Sequence, residues 1–199
     1  MNKKKNWNDY LELRIAIFGK EGVGKTSITK RFLKGRFIDY YDPSMDEDSK
    51  KMDINNEKIH LWIFDTAGQE EYQILNERIA RKCYSFVLVY SIDDRNSFQE
   101  IIEIHKKNQQ FLENEDYPKV LIGNKNDLFT KREVKTKEGK ELAKQLNCKF
   151  IETSAKNGEN INQLFYESSI LAIPKAKAKR KKKELKKQKE KKKGNCLLM

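Results

Sequence analysis

The sequence predicts an open α/β fold, in which helices cover a sheet of mainly parallel strands. Short β-rich runs alternate along the chain with longer segments in which apolar residues recur at helical spacing. Two of the runs, residues 85–90 and 120–123, are continuously apolar, as expected for parallel strands that are buried on both faces. This alternation favours right-handed crossover connections between neighbouring parallel strands.

The predicted elements follow one another without a repeat or a long linker. A strand over residues 13–18 precedes a tight loop at 19–24 and a short helix that begins at Lys25. Apolar residues in 52–54 and 59–63 alternate around Asn55 and Asn56, a turn pair that predicts an antiparallel hairpin. A shorter run at 149–152 is the sixth strand candidate, and helical spacing recurs over 98–105, 142–146 and 161–168. Pro174 is expected to end the last helix.

The net charge is concentrated at one end of the chain. Among 199 residues, 42 are Lys or Arg and 30 are Asp or Glu, so the net charge is +12, a value typical of nucleic-acid binders and membrane-surface proteins. Residues 174–199 contain thirteen of the basic residues and two of the acidic ones, a net charge of +11, which leaves +1 for residues 1–173. Because the body is nearly neutral, the composition does not imply a basic groove in the fold itself.

Cysteine content and hydropathy indicate a cytosolic protein. Cys83, Cys148 and Cys196 are too few and too widely spaced for a disulfide framework or a CxxC metal site, so a reducing compartment is expected. No segment reaches the ~18 consecutive apolar residues that a membrane span needs. We therefore expect the chain to stay in the cytosol or on a cytosolic surface.

A glycine-rich segment between the first strand and the first helix predicts a phosphate-binding loop. Residues 19–26 fit the pattern GxxxxGK[ST], in which backbone N–H groups and a helix N-terminus surround phosphate oxygens. Lys25 would reach the β- and γ-phosphates, and Thr26 would offer a hydroxyl to Mg²⁺. Taken alone, the pattern is also compatible with a glycine-rich turn that has only a conformational role.

Polar segments follow three later strands. Asp65 ends the next strand, where a carboxylate beside a phosphate loop is expected to orient magnesium, although a capping Asp in a strand-end turn would look the same. Residues 124–127 (Asn-Lys-Asn-Asp) follow the fifth strand, and residues 153–156 (Thr-Ser-Ala-Lys) follow the sixth.

Taken together, these four segments resemble the Ras-type small GTPases in their order and spacing. The resemblance covers about residues 10–173 and the last four residues. It implies a P-loop G domain, with a six-stranded, mostly parallel sheet, one antiparallel edge strand, five helices, and the nucleotide at the carboxyl ends of the strands. Residues 1–9 would then be an N-terminal extension, and residues 174–199 a polybasic hypervariable tail.

The resemblance also implies a guanine-nucleotide site and a slow GTP-hydrolysing switch. Asp127 suits guanine because its carboxylate can accept hydrogen bonds from N1–H and N2–H₂, donors that adenine lacks; such a match can discriminate by about 10⁴–10⁵-fold. The implied ligands of GTP, GDP and Mg²⁺ are Gly19, Glu21, Gly22, Val23, Gly24, Lys25, Thr26, Ser27, Phe37, Asp39, Tyr41, Ser44, Asp65, Gly68, Asn124, Lys125, Asp127, Ser154, Ala155 and Lys156.

The segment 37–44 resembles switch I, and the segment from Gly68 onward resembles switch II. The resemblance gives Ser44 as the third magnesium ligand beside Thr26 and Asp65, and Gln69 as the residue that orients the attacking water. Loss of the γ-phosphate would release both segments and change the surface offered to effector proteins, an exchange factor and a GTPase-activating protein. The sequence does not identify these partners.

The chain departs from the usual Ras pattern inside the phosphate loop. Glu21 and Gly22 stand where Ras proteins usually carry two glycines. A carboxylate beside the γ-phosphate would obstruct Gln69 and an incoming arginine, so we hypothesise slow hydrolysis and a bias toward the GTP-bound state. The alternative is that Glu21 points into solvent and has no effect.

The chain ends in Cys-Leu-Leu-Met, a CaaX sequence whose final Met favours a farnesyl group on Cys196. One lipid chain anchors only marginally, so the basic run 175–193 is expected to bind anionic membrane lipids as the second signal. The expected location is the cytoplasmic face of the plasma membrane. A solvated tail or a nuclear-localisation segment is the alternative, and a basic nucleic-acid-binding protein is the rival of another class.

Overall fold

The structure, a computed structural model, describes residues 9–35, 49–66, 73–113 and 116–196. The strands are β1 (Leu11–Phe18), β2 (Ser49–Ile54), β3 (Glu57–Asp65), β4 (Ser85–Ser91), β5 (Lys119–Asn124) and β6 (Lys149–Glu152). The helices are α1 (Lys25–Lys34), α2 (Gln73–Ala80), α3 (Arg95–Phe111), α4 (Thr136–Gln145) and α5 (Ile161–Cys196), with a 3₁₀ helix at Asn126–Lys131.

The six strands form one sheet in the order β2-β3-β1-β4-β5-β6. Only the β2–β3 pair is antiparallel among these pairings, and its hairpin turns at Asn55 and Asn56, both with positive φ. The remaining neighbours pair in parallel, so β1, β3, β4, β5 and β6 all end at the same edge. The predicted fold class and hairpin are therefore confirmed.

Hydrophobic cores lie on both faces of the sheet. One core joins β-strand residues to α1 and α5 through side chains such as Ile28, Phe32 and Phe165. The other joins the sheet to α3 and α4 through Ile101 and Leu142. All seven residues of β4 are buried, as the apolar run at 85–90 predicted for a strand covered on both faces.

The expectation that Pro174 ends the last helix is wrong, because α5 continues through it to Cys196. A proline inside a helix removes one backbone hydrogen bond and clashes with the preceding turn. Here Ala172 and Ala176 are both buried against the body on either side of Pro174, and this packing holds the chain helical. The change in composition at residue 174 therefore does not coincide with the end of an element. Within the described ranges, no helix combines the length and the apolar character that crossing a bilayer requires.

Candidate nucleotide site

The phosphate loop, residues 19–26, folds around the side chain of Lys25. Lys25 is the first residue of α1 and is only 7 % exposed. Its ammonium donates hydrogen bonds of 2.9 Å to the carbonyls of Gly19 and Lys20, at the start of the loop. Burial lowers the pKa of Lys25, whereas the carboxylates of Asp65 and Glu21 act in the opposite direction. The loop therefore holds a partly desolvated cation where phosphate oxygens are expected to bind.

Two glycines of the loop leave no room for a side chain. Gly24, at the N-terminus of α1, has φ of 95°, and a Cβ there would lie 2.5 Å from Nδ2 of Asn124. A Cβ on Gly19 would lie 2.2 Å from the carbonyl oxygen of Val89. Gly24 thus requires both the left-handed conformation and the missing side chain, so its backbone can approach a ligand closely. The phosphate-binding interpretation gains support from this geometry.

The side chains of Thr26 and Asp65, both predicted as magnesium ligands, meet at the mouth of the phosphate loop. The hydroxyl of Thr26 donates a hydrogen bond to Oδ2 of Asp65, although the two residues are 39 positions apart. Thr66, the next residue, fixes the end of β3 by donating from its backbone and its hydroxyl to the carbonyl of Ile17. Mg²⁺ prefers oxygen ligands and is usually bound by one or two protein groups together with phosphates and waters. A hydroxyl and a carboxylate at the mouth of a phosphate loop fit that donor set.

Asn124 joins the phosphate loop to the loop that follows β6. Its Nδ2 donates a 2.8 Å hydrogen bond to the carbonyl of Val23, while its Oδ1 accepts from the hydroxyl of Thr153 at 3.1 Å and from the backbone N–H of Ala155 at 3.4 Å. Asn124 is 1 % exposed. The resemblance implied that Asn124 flanks the base, and the structure gives it a further role as a buried clamp between two loops.

Asp127 lies beside Ser154, as a base-recognition carboxylate held by the last loop would require. The Ser154 hydroxyl donates a 2.6 Å hydrogen bond to Oδ1 of Asp127 and accepts one of 3.0 Å from the backbone N–H of Asn157. This chain of hydrogen bonds fixes the orientation of the carboxylate before a ligand arrives. An oriented acceptor pair is what recognition of guanine N1–H and N2–H₂ needs.

Lys125 adopts a conformation that is uncommon for a residue with a side chain. Its φ is 64°, in the left-handed region, and it forms the turn between β5 and the 3₁₀ helix. The ammonium lies 3.9 Å from a carboxylate oxygen of Asp93. Backbone strain of this kind persists where surrounding structure holds it and clusters at functional sites. Here the turn brings Asp127 beside Ser154.

Arg31 is a site residue that the sequence analysis missed. It lies on α1, and its Nε donates a 2.9 Å hydrogen bond to the carbonyl of Ala155, while Nη2 donates to the carbonyl of Lys156. Arg31 therefore attaches the loop after β6 to the helix that begins at the phosphate loop. Only its place on a helical segment could be read from the sequence, since no local pattern marks a contact across 124 positions.

The phosphate loop carries two further charged side chains, the carboxylate of Glu21 and the ammonium of Lys20. Glu21 is exposed, and its carboxylate interacts electrostatically with the ammonium of Lys25. Lys20 lies 3.3 Å from Glu100 on α3, an ion pair that attaches the loop to a neighbouring helix. The loop thus holds a carboxylate close enough to affect the phosphate-binding lysine.

Some of the remaining predicted residues lie within the described ranges, and six do not. Gly22 and Val23 lie in the loop, Ser27 lies half-buried in the first turn of α1, and Lys156 contributes its carbonyl to Arg31. Cys196 is the last residue of α5. The predictions for six residues lie outside the described residues: Phe37, Asp39, Tyr41, Ser44, Gly68 and Gln69.

Comparison with known proteins agrees with this geometry. A model described as the Ras family matches residues 14–172. Ras-like protein 1 of Saccharomyces cerevisiae is 40 % identical over 156 residues, which are 78 % of this chain and 50 % of the yeast protein.

Two relatives from Dictyostelium discoideum are similar over more of their own length. Ras-like protein rasV is 40 % identical over 78 % of this chain and 69 % of its own, and Ras-like protein rasS is 42 % identical over 77 % and 80 % respectively. The chain thus spans between half and four fifths of these relatives. It belongs to the Ras family and is therefore a small GTPase, an enzyme that binds guanine nucleotide and hydrolyses GTP.

Proposed function

We propose that this GTPase is a lipid-anchored molecular switch, active when GTP is bound and inactive after slow hydrolysis to GDP, on the cytoplasmic face of the plasma membrane. The observation that carries the switch is the pair Thr26–Asp65 beside the buried ammonium of Lys25. These groups lie where the γ-phosphate and its metal would be bound. Their interactions therefore differ between the two nucleotide states, and a difference of this kind can drive a conformational change.

Bound Mg²⁺ would supply positive charge that neutralises the phosphate charge. Thr26 and Asp65 would hold it, with Ser44 as the further ligand implied by the Ras pattern. Lys25 would neutralise charge on the transferred phosphoryl group, and Gln69 would orient the attacking water. Asp127, fixed by Ser154, would select guanine.

Two contacts would make the conformation of the chain depend on the γ-phosphate. Ser44 would be drawn toward the metal and the Gly68 N–H toward the phosphate, and both would be released after hydrolysis. The segments around them would then present different surfaces to effectors, to an exchange factor and to a GTPase-activating protein. The membrane anchor would be a prenyl group on Cys196 together with the basic residues of 175–193, which suit anionic lipids.

Membrane anchoring is tested by the location of the full chain in cells. Cys196→Ser removes the only acceptor thiol of the CaaX sequence, so we expect the variant to leave the membrane fraction. Lys→Gln exchanges in 181–183, which leave Cys196 in place, should weaken retention only partly. Membrane retention of Cys196→Ser equal to that of the unmodified sequence would refute the two-signal anchor.

Glu21 favours a second candidate, a signalling module that stays loaded with GTP because it hydrolyses poorly. The carboxylate interacts with Lys25, and by the Ras pattern it would obstruct Gln69 and an arginine from an activating protein. Single-turnover hydrolysis of the natural chain and of Glu21→Gly separates the two candidates. A faster Glu21→Gly variant supports the loaded module, whereas equal rates support a switch on which Glu21 has no effect.

A further inference from the structure

The basic extension of α5 leaves the body at the edge of the sheet opposite the nucleotide site. The parallel strands β1, β3 and β4 all begin at that edge, with Leu11, Glu57 and Ser85. Helix α5 starts near the carboxyl edge after β6 and runs back past the sheet for 36 residues, a length of about 54 Å. The helix is longer than the sheet it covers, so its basic half extends beyond the body.

The first turns after Pro174 are docked on the body. Ala176 is buried, and Lys177 forms an ion pair with Glu57 at the start of β3. About three turns earlier along the same helix, the Tyr166 hydroxyl donates a 3.2 Å hydrogen bond to Asn55 in the β2–β3 turn. The start of the basic segment therefore has a fixed position relative to the sheet.

Basic residues of the body and of α5 meet at this edge. The ammonium of Lys179 lies 5.4 Å from the centre of the Tyr84 ring. Burial raises the pKa of the neighbouring Cys83 thiol to about 12, and Arg14, Lys179, Lys82 and Lys175 all act on that thiol in the opposite direction. Arg14 is paired with Glu12 at 3.0 Å. The three exposed lysines, Lys82, Lys175 and Lys179, are called the sheet-end basic surface below.

We propose that the sheet-end basic surface rests on an anionic lipid surface, so that the body itself takes part in membrane binding and is held in one orientation. The surface continues the charge of the tail onto the α2–β4 connection, through Lys82. Acidic headgroups would complement that charge over a broad area, and the docking of α5 keeps its lysines in register with Lys82. The nucleotide edge is then turned away from the bilayer, toward cytosolic partners. This inference rests on the proposed membrane function.

The test uses the full chain, farnesylated on Cys196 and loaded with GDP, and vesicles of phosphatidylcholine with about 30 % phosphatidylserine. We expect Lys82→Gln to weaken vesicle binding about fivefold, because a lysine near an anionic leaflet contributes roughly that factor. Lys82→Arg should bind as the natural chain does. Lys140→Gln, on the exposed side of α4, is the matched control and should change binding less than about twofold.

The outcomes separate this inference from the proposed function. If the natural chain does not bind the vesicles, the membrane function fails and the inference with it. If the natural chain binds but Lys82→Gln binds equally well, only the inference is overturned. The same holds if Lys82→Gln weakens vesicle binding no more than Lys140→Gln does. Tighter binding to a DNA duplex than to vesicles, with the same dependence on Lys82, would also overturn it.

Discussion

Asn124→Ala should destabilise the chain and weaken nucleotide binding together. The exchange removes three hydrogen bonds, to Val23, Thr153 and Ala155, inside a 1 % exposed environment. At about 1 kcal/mol for each bond the loss is about 3 kcal/mol, and the Thr153 hydroxyl, left buried without this acceptor, increases it toward about 5 kcal/mol. Because the clamp joins the phosphate loop to the loop after β6, we also expect GDP affinity to fall at least about tenfold.

The assay is equilibrium unfolding in guanidinium at fixed, saturating GDP and Mg²⁺, since bound ligand adds to the apparent stability. GDP affinity is measured separately by competition. Asn157→Ala is the control, because Asn157 is exposed in the same loop and should cost no more than about 0.5 kcal/mol. If Asn124→Ala lies within about 1 kcal/mol of the natural chain and binds GDP equally well, the clamp does not have the role derived for it.

Three further predictions concern other contacts. Gly24→Ala should speed GDP dissociation at least about tenfold because its Cβ would meet Asn124, whereas Gly35→Ala, also at positive φ but with open space, should reduce stability and leave dissociation unchanged. Asp127→Asn should abolish most of the preference for GDP over inosine diphosphate, which lacks the N2 amino group, and an unchanged preference in competition binding would argue against Asp127 as the base acceptor. The Arg95 guanidinium lowers the pKa of Glu138 to about 2, so this carboxylate stabilises the fold above its unfolded pKa near 4.5 and loses that effect as pH falls toward 2. Urea midpoints of the natural chain and Glu138→Gln should therefore converge over this pH range, and a constant difference would contradict the pair.

Local patterns in the sequence were sufficient to predict the sheet and the place of the glycine-rich loop between its first strand and first helix. The apolar runs, the Asn55–Asn56 turn and the glycine spacing each depend on neighbouring residues, and the structure contains the corresponding strands, hairpin and loop. Thr26 and Asp65 were each predicted as magnesium ligands, and their hydrogen bond brings the two residues together where strand ends meet at one edge of the sheet.

Contacts between distant elements could not be predicted in this way. Arg31 binds a loop 124 positions away, and the clamp role of Asn124 depends on how two loops approach each other in space. The continuation of α5 through Pro174 was also missed, because the local rule for proline does not include the burial of Ala172 and Ala176. At Pro174, tertiary packing overrides the local preference.

The nucleotide that copurifies with the full chain under gentle conditions with Mg²⁺ tests the central claim most directly. The site predicts one guanine nucleotide per chain, because Asp127 is held as an oriented acceptor beside a phosphate loop closed around Lys25. Bound GDP would indicate a switch that completes its cycle, and bound GTP would indicate the loaded module. An adenine nucleotide in the site would contradict the assignment of Asp127 and the account built on it.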